Sequence, residues 1–334
     1  MERGGLFRLG LEKSMKKLPF FLPFGGCRGR CVYCSQSIIT GADDIPTPEF
    51  VSSVLRELEG PREVCFFGGS FCRFGISKVK EYLDSVVKFG PEGSRIRFST
   101  YPGDLSDTSM RDLINAYPIG CIELGIPSLD PNVLFLCERE ADPETILSDI
   151  KTIMDDSLPL GVQMMIGLPG QTIESSINDL KNLAEIKGPI SWDLRLYPCL
   201  VLEGTELEKM MNRGSYSPLG LDQAIEWGGI FIDCAVSLGF NPIRIGLQES
   251  GLLASKVKGG PHHPALGEMI ASESLVRKLT RNNWTGPWIV PEEQISKFTG
   301  HGCFGLRRLA ELNGTSTTSV SEKLSFFPPA VKIL

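Results

Sequence analysis

Three cysteines, Cys27, Cys31 and Cys34, stand at the spacing C-x3-C-x2-C in the stretch Cys27-Arg28-Gly29-Arg30-Cys31-Val32-Tyr33-Cys34. Three thiolates on one short loop can hold three corners of a four-iron four-sulfur cluster, [4Fe-4S], which normally takes four cysteines. One iron is then left without a protein ligand. An open metal position is what chemistry requires, as catalytic zinc sites illustrate. Gly25, Gly26 and Gly29 suit a tightly wrapped loop, because glycine tolerates positive φ and close backbone approach. A structural zinc loop, or three buried thiols, is the competing reading. Structural zinc is nearly always four-coordinate, and no second CxxC or HxxxH pair is present. The balance favours the open cluster.

Such a loop needs a rigid strand to leave from, and the apolar run over 18–24 supplies one. The chain then alternates. Thr47-Pro48 reads as an N-cap with proline in the first turn. Phe50, Val51, Val54, Leu55 and Leu58 keep one helical face apolar behind it. Strands are predicted over 63–67, 95–101, 119–126, 160–168 and 190–197, with helices over 76–87 and 106–116 between them. Two further helices are marked by Asp142-Pro143 with Ile146, Ile150 and Ile153, and by Ile173, Ile177, Leu180 and Leu183. Strand and helix in alternation argue for parallel βαβ units. Six such units fit a partial parallel barrel, whose function gathers at the C-terminal ends of the strands. Past about residue 215 this rhythm fades. A helix over 221–238, despite Gly228-Gly229, and a strand over 241–247 remain. The expected organisation is a core barrel over 1–215 and a C-terminal α/β extension over 216–334 packing on it.

The pattern C-x3-C-x-aromatic-C after a first strand resembles the radical S-adenosylmethionine (radical SAM) superfamily. The string PFGGCRGRCVYCSQ is similar to its Elongator catalytic-subunit-like branch, which includes stand-alone bacterial proteins. The resemblance implies an α/β fold with a partial parallel (β/α)6 barrel. It implies that Cys27, Cys31 and Cys34 hold a cluster whose open iron binds the amino and carboxylate groups of S-adenosylmethionine (SAM). One electron then cleaves SAM to methionine and a 5′-deoxyadenosyl radical that abstracts hydrogen from a substrate.

Further matches imply SAM contacts. Tyr33 lies within the cysteine loop. Gly68-Gly69-Ser70 stands where relatives often read GGE and contact the SAM amino group, here with a hydroxyl in place of a charge. Glu123, in ELGIPSLD, points toward the ribose hydroxyls, with a salt-bridged core glutamate as the alternative. Arg139, in CERE, suits the SAM carboxylate, with a surface ion pair as its alternative. GVQMMIGLPGQT is the longest match; it implies backbone amides of Ile166 and Leu168 beside the adenine and Gln163 near the ribose or substrate. Tyr197, in RLYPCLVLEGTEL, is expected near the adenine, or else as a paired core tyrosine. One departure stands out: Tyr101 occupies the place of an arginine in the family's T-R-P-D, and Gly103 precedes Asp104 as an insertion. No role is carried across it.

Composition bounds the rest. The chain has 334 residues, 42% hydrophobic and 22% charged, with a formal net charge of -6. No apolar run approaches the ~20 residues of a membrane span. The ten cysteines without a recognisable export signal argue for a reducing compartment, so a cytoplasmic, oxygen-sensitive protein is expected. No P-loop string is present. The slight acidity argues against strong nonspecific nucleic-acid binding, and a small-molecule substrate is favoured over RNA. A tRNA- or RNA-modifying enzyme is the alternative within radical chemistry, and an iron-sulfur electron carrier or sensor that never cleaves SAM is the alternative outside it. The length leaves no room for the acetyltransferase domain of true Elongator subunits, so tRNA acetyl transfer is not expected. A low-potential flavodoxin or ferredoxin is the expected electron donor, docking near Arg28 and Arg30. His262 and His263, in GGPHHP, carry no assigned role; neighbours on a helix do not share a face, and metal binding there is disfavoured.

Overall fold

The computed structural model describes residues 15–327 other than 28, 30 and 141. Six strands follow the chain order: β1 (Lys17–Phe21), β2 (Glu63–Phe67), β3 (Arg95–Thr100), β4 (Ile119–Gly125), β5 (Leu160–Ile166) and β6 (Trp192–Pro198). Each pairs in parallel with the next, as the alternating pattern requires. The expected six-unit barrel gains a seventh strand. Phe240–Ile245 pairs in parallel with β6 and closes the order of the sheet. Trp192 packs edge-on against Phe240 at 6.4 Å, and Asn241 donates to Asp193 at 2.9 Å.

Local chemistry sets the helices between the strands. Thr47 accepts from the Phe50 amide at 3.3 Å ahead of Pro48–Arg56, and Asp142 accepts from the Thr145 amide at 2.9 Å ahead of Pro143–Asp155. Each orphan amide of a first turn gains an acceptor in this way. The apolar faces of these helices bury Val51, Leu55, Ile150 and Ile153 against the outer face of the sheet, which presents Val64, Phe66, Ile96, Phe98, Ile122, Val162 and Leu194.

The inner face is different. Successive strand residues point to opposite faces, so the lumen receives Glu63, Arg97, Glu123, Gln163, Asp193 and Arg195. Arg97, only 5% exposed, lies 2.9 Å from Glu63, 2.7 Å from Glu123 and 2.8 Å from Asp193. Glu123, 1% exposed, also accepts from Arg195 at 2.6 Å and Gln163 at 2.7 Å. The base of the barrel is thus a closed ionic network rather than an apolar plug.

Gly228 and Gly229 sit inside the helix Leu221–Ser237 for a packing reason. A side chain at either would meet Ile270 or Glu273 of the helix Leu266–Asn282 at under 3 Å. Beyond that helix, Trp288, Val290, Phe298 and Leu309 form a separate small core. No helix among the described residues is long and apolar enough to cross a membrane.

One buried carboxylate outside the lumen gives the fold a pH dependence. Asp179, 3% exposed, accepts from Ser128 at 2.6 Å, yet burial pushes its carboxyl up to about 6. A folded value above the unfolded one of about 3.9 means its contribution is full below that lower value and is lost as pH rises through about 6. A shift of that size amounts to about 3 kcal/mol at most. Asp179→Asn is therefore expected to gain on wild type between pH 4 and pH 7. Urea midpoints of both proteins at the two pH values test this, and a gap that stays constant would contradict it.

Candidate active site

At the C-terminal ends of the strands lies a cavity of about 700 Å³. Cys27, Cys31 and Cys34 share one wall of it with Tyr33, Gly68, Gly69 and Ser70. The sequence-predicted residues Arg139, Gln163 and Tyr197 line it as well. The cysteine loop is fastened to the glycine loop after β2 by two amides, Phe24 to the Gly68 carbonyl at 3.2 Å and Ser70 to the Gly25 carbonyl at 2.8 Å. This contact explains the glycines. A Cβ on Gly69 would stand 2.1 Å from the Gly25 carbonyl oxygen, and one on Gly26 would stand 2.3 Å from that of Ser70.

Three of the expected contacts are placed elsewhere. Glu123 is not part of the cavity lining. Its carboxylate is taken by Arg97, Arg195 and Gln163, the arrangement of the salt-bridged alternative. Ile166 and Leu168, expected to offer amides to the cavity, do not line it and are 0% and 3% exposed. Strand alternation turns Gln163 and Met165 inward instead, and the Leu168 amide donates to Gln171 Oε1 at 3.2 Å. The Arg28 and Arg30 docking surface lies outside the described residues.

Several site residues were missed at the sequence level. Asp104, beyond the inserted Gly103, gathers Ser70, Arg73, Thr100 and the Tyr101 amide around one carboxylate. Tyr101 stands between two guanidinium groups, with Arg73 4.4 Å and Arg139 4.6 Å from its ring centroid. Arg195 stacks 4.9 Å from the Phe67 ring. Arg244, in the seventh strand, and Leu247 and Glu249, beyond it, also line the cavity. His262 lies 3.1 Å from Glu249, and His263 packs edge-on against His301 at 5.1 Å. Both line a second cavity that shares Arg244, Leu247 and Glu249 with the first.

The residues present fit an open-site cluster. All three thiols face one cavity, and Arg139 aims an N–H at Cys31 Sγ over 3.3 Å. Gln36 Oε1, buried in the same wall, has no hydrogen-bond partner among the described residues. Among those residues no three His, Cys, Asp or Glu side chains converge on a single metal ion; cysteines at the corners of a cluster need not. Burial pushes the Cys34 thiol up to about 12, with Cys31 and Cys27 adding to the shift. Burial and then Cys31 raise that of Cys27. Thiols so placed resist ionising alone and yield their protons to a metal.

The profile of the radical SAM superfamily matches residues 21–183, and that of the radical SAM C-terminal domain matches 192–275. A tRNA uridine(34) acetyltransferase of Methanocaldococcus infernus is 30% identical over 149 residues. That match covers 45% of this chain and 27% of the relative, so the chain spans well under half of that protein's length. Among solved structures, M. infernus Elp3 with an N-terminal deletion superposes with a TM-score of 0.58 at 20% identity, over 80% of this chain and 63% of the other. Streptococcus suis SuiB bound to S-adenosylmethionine superposes with a TM-score of 0.51 at 14% identity, over 72% and 52% of the two chains. Proteins of this superfamily use a [4Fe-4S] cluster and SAM, and need a reductant and a substrate. The chain belongs to the radical SAM superfamily of enzymes, beside its Elongator-type branch.

Proposed function

We propose that this enzyme reductively cleaves SAM and uses the product to abstract hydrogen from a substrate. One observation carries the reading: Cys27, Cys31 and Cys34 line, beside the glycine loop Gly68-Gly69-Ser70, a single cavity large enough for SAM. With the cluster bound, one electron from a low-potential donor, flavodoxin or ferredoxin, breaks SAM into methionine and a 5′-deoxyadenosyl radical. The chain's own residues hold the reactants. The three cysteines ligate the cluster. Gly68, Gly69 and Ser70 receive the amino group of SAM, and Arg139 its carboxylate. Tyr33 closes the cysteine side, while Gln163 and Tyr197 line the opposite wall for the ribose and adenine. Glu123 acts at one remove by holding Gln163 and Arg195 in place. The barrel walls keep water from a radical that would attack any nearby hydrogen. We assign residues 1–215 to the barrel core and 216–334 to an extension that supplies its far wall.

The substrate class divides into two readings. The net charge of -6 favours a small molecule. Similarity to a tRNA uridine(34) acetyltransferase supports RNA. Saturable retention of tRNA at physiological salt selects RNA, and its absence selects the small molecule. The test of the reaction itself is anaerobic: reconstitute the cluster, reduce with dithionite, add SAM and measure 5′-deoxyadenosine. Formation of 5′-deoxyadenosine is expected. A loaded cluster that makes none, and whose electron paramagnetic resonance SAM leaves unchanged, would give the electron-carrier reading its place.

A further inference from the structure

Arg139 reaches the cysteine wall from the turn after the helix Pro131–Leu136. Its Nη2 donates to the Gly125 carbonyl at 2.6 Å, and its Nη1 donates toward Cys31 Sγ at 3.3 Å. The first bond fixes the plane of the guanidinium, and the second aims an N–H at the sulfur. The chain enters this turn through Glu138, whose φ of 53° lies in the left-handed region that such residues seldom adopt. That residue ends the helix, with the Glu138 amide donating to the Phe135 carbonyl at 3.1 Å and the Arg139 amide to the Leu134 carbonyl at 2.9 Å, and so sets where Arg139 leaves the backbone.

The two guanidiniums on either side of Tyr101 are not equivalent. Arg73 is paired with Asp104 and lies 3.6 Å from Glu140, so carboxylates neutralise it. Among the described residues no carboxylate forms an ion pair with Arg139; the acceptors it holds are the Gly125 carbonyl and the Cys31 sulfur. Both guanidiniums lie over the Tyr101 ring. That contact restricts where the Arg139 guanidinium can turn. This gives a physical account of a tyrosine at a position where an arginine is the expectation.

We propose that Arg139, braced by Tyr101, raises the reduction potential of the cluster that Cys31 helps to hold. The inference rests on the radical SAM reading of the site. Reduction brings one electron, supplied by the external donor, and so one negative charge to the cluster. A fixed cation with an N–H aimed at a ligand sulfur stabilises the charged, reduced form more than the oxidised one. The contact precedes SAM and is independent of any hold Arg139 has on the SAM carboxylate.

The experiment is an anaerobic redox titration of the reconstituted protein without SAM, followed by electron paramagnetic resonance, at matched iron and sulfide content. Arg139→Gln is expected to move the midpoint to more negative potential, with an approximately tenfold lower reduced-to-oxidised ratio at a fixed potential, or about 59 mV for one electron. Arg139→Lys keeps the charge but loses the fork, and should move it less in the same direction. Tyr101→Ala should lower the potential too, and Tyr101→Phe, which keeps the ring, should titrate with wild type. If Arg139→Gln and Tyr101→Ala both titrate with wild type, the proposal is wrong. If Arg139→Gln fails to hold a cluster, the Tyr101 pair decides alone. A midpoint shift in a protein that never cleaves SAM would support this inference and overturn only the functional reading.

Discussion

Cys31→Ala is expected to reduce 5′-deoxyadenosine formation below detection while leaving the fold in place. Two thiols can hold two corners of a cluster, and an iron with no third anchor exchanges with solvent. Cys31 is also the ligand whose sulfur meets Arg139, so the change removes the N–H acceptor together with the ligand. The backbone has little to lose. The amide bond of Cys34 to the Cys31 carbonyl, 2.9 Å, survives any change of side chain. The urea midpoint should therefore shift by no more than about 0.5 kcal/mol, the range of substitutions away from the core. Iron content, SAM cleavage and unfolding measured on the same preparation separate a lost ligand from a lost fold. Wild-type iron and wild-type 5′-deoxyadenosine in this variant would remove Cys31 from the site.

The second large effect is on stability. Arg97→Ala is expected to cost about 3–5 kcal/mol, because removing one partner leaves buried charge uncompensated. Arg97 meets three carboxylates, Glu63, Glu123 and Asp193. Of these Glu123 is 1% exposed and, among the described residues, keeps only Arg195 as a cation. A double change, Arg97→Met with Glu123→Gln, should recover part of the loss, since it withdraws charge of both signs together. Unfolding in urea measures both. The single variant should also fare relatively better as pH falls, because stranded carboxylates can then be neutralised by protons. A loss below about 1 kcal/mol would mean that water reaches the base of the barrel and screens the network.

What the chain disclosed in advance follows from how local each feature is. Strands and helices lie close to their expected ranges because capping residues and apolar periodicity act within a few residues, as at Thr47-Pro48 and Asp142-Pro143. The cysteine loop and the glycine loop were legible because their spacing is itself the chemistry. The role of Glu123 was harder to read. Its position on an inward face was visible, but its partners come from β3, β5 and β6 and meet only when the sheet curls. Arg97 sits in Arg95-Ile96-Arg97-Phe98, where two charges inside a strand could have signalled a polar lumen. The seventh strand lay in the segment set apart as an extension, and pairing across more than forty residues leaves no mark in either segment alone. Ile166 and Leu168 were expected at the cavity through their backbone amides, on resemblance alone; strand alternation instead turns Gln163 and Met165 to that face. The Tyr101 stack had one clue, a departure from the family pattern, and no partner could be named until Arg73 and Arg139 were brought together.

Val32 ties the cysteine loop to the rest of the chain. Lying between the second and third cysteines, it donates its amide to Cys137 at 3.3 Å and accepts that of Leu207 at 2.8 Å. Its side chain, 3% exposed, belongs to a small core with Val133, Leu168 and Leu207. The ligand loop is thereby sewn to two distant segments by bonds that involve no iron. The position of the cysteines is thus set by the polypeptide's own packing as well as by whatever they ligate.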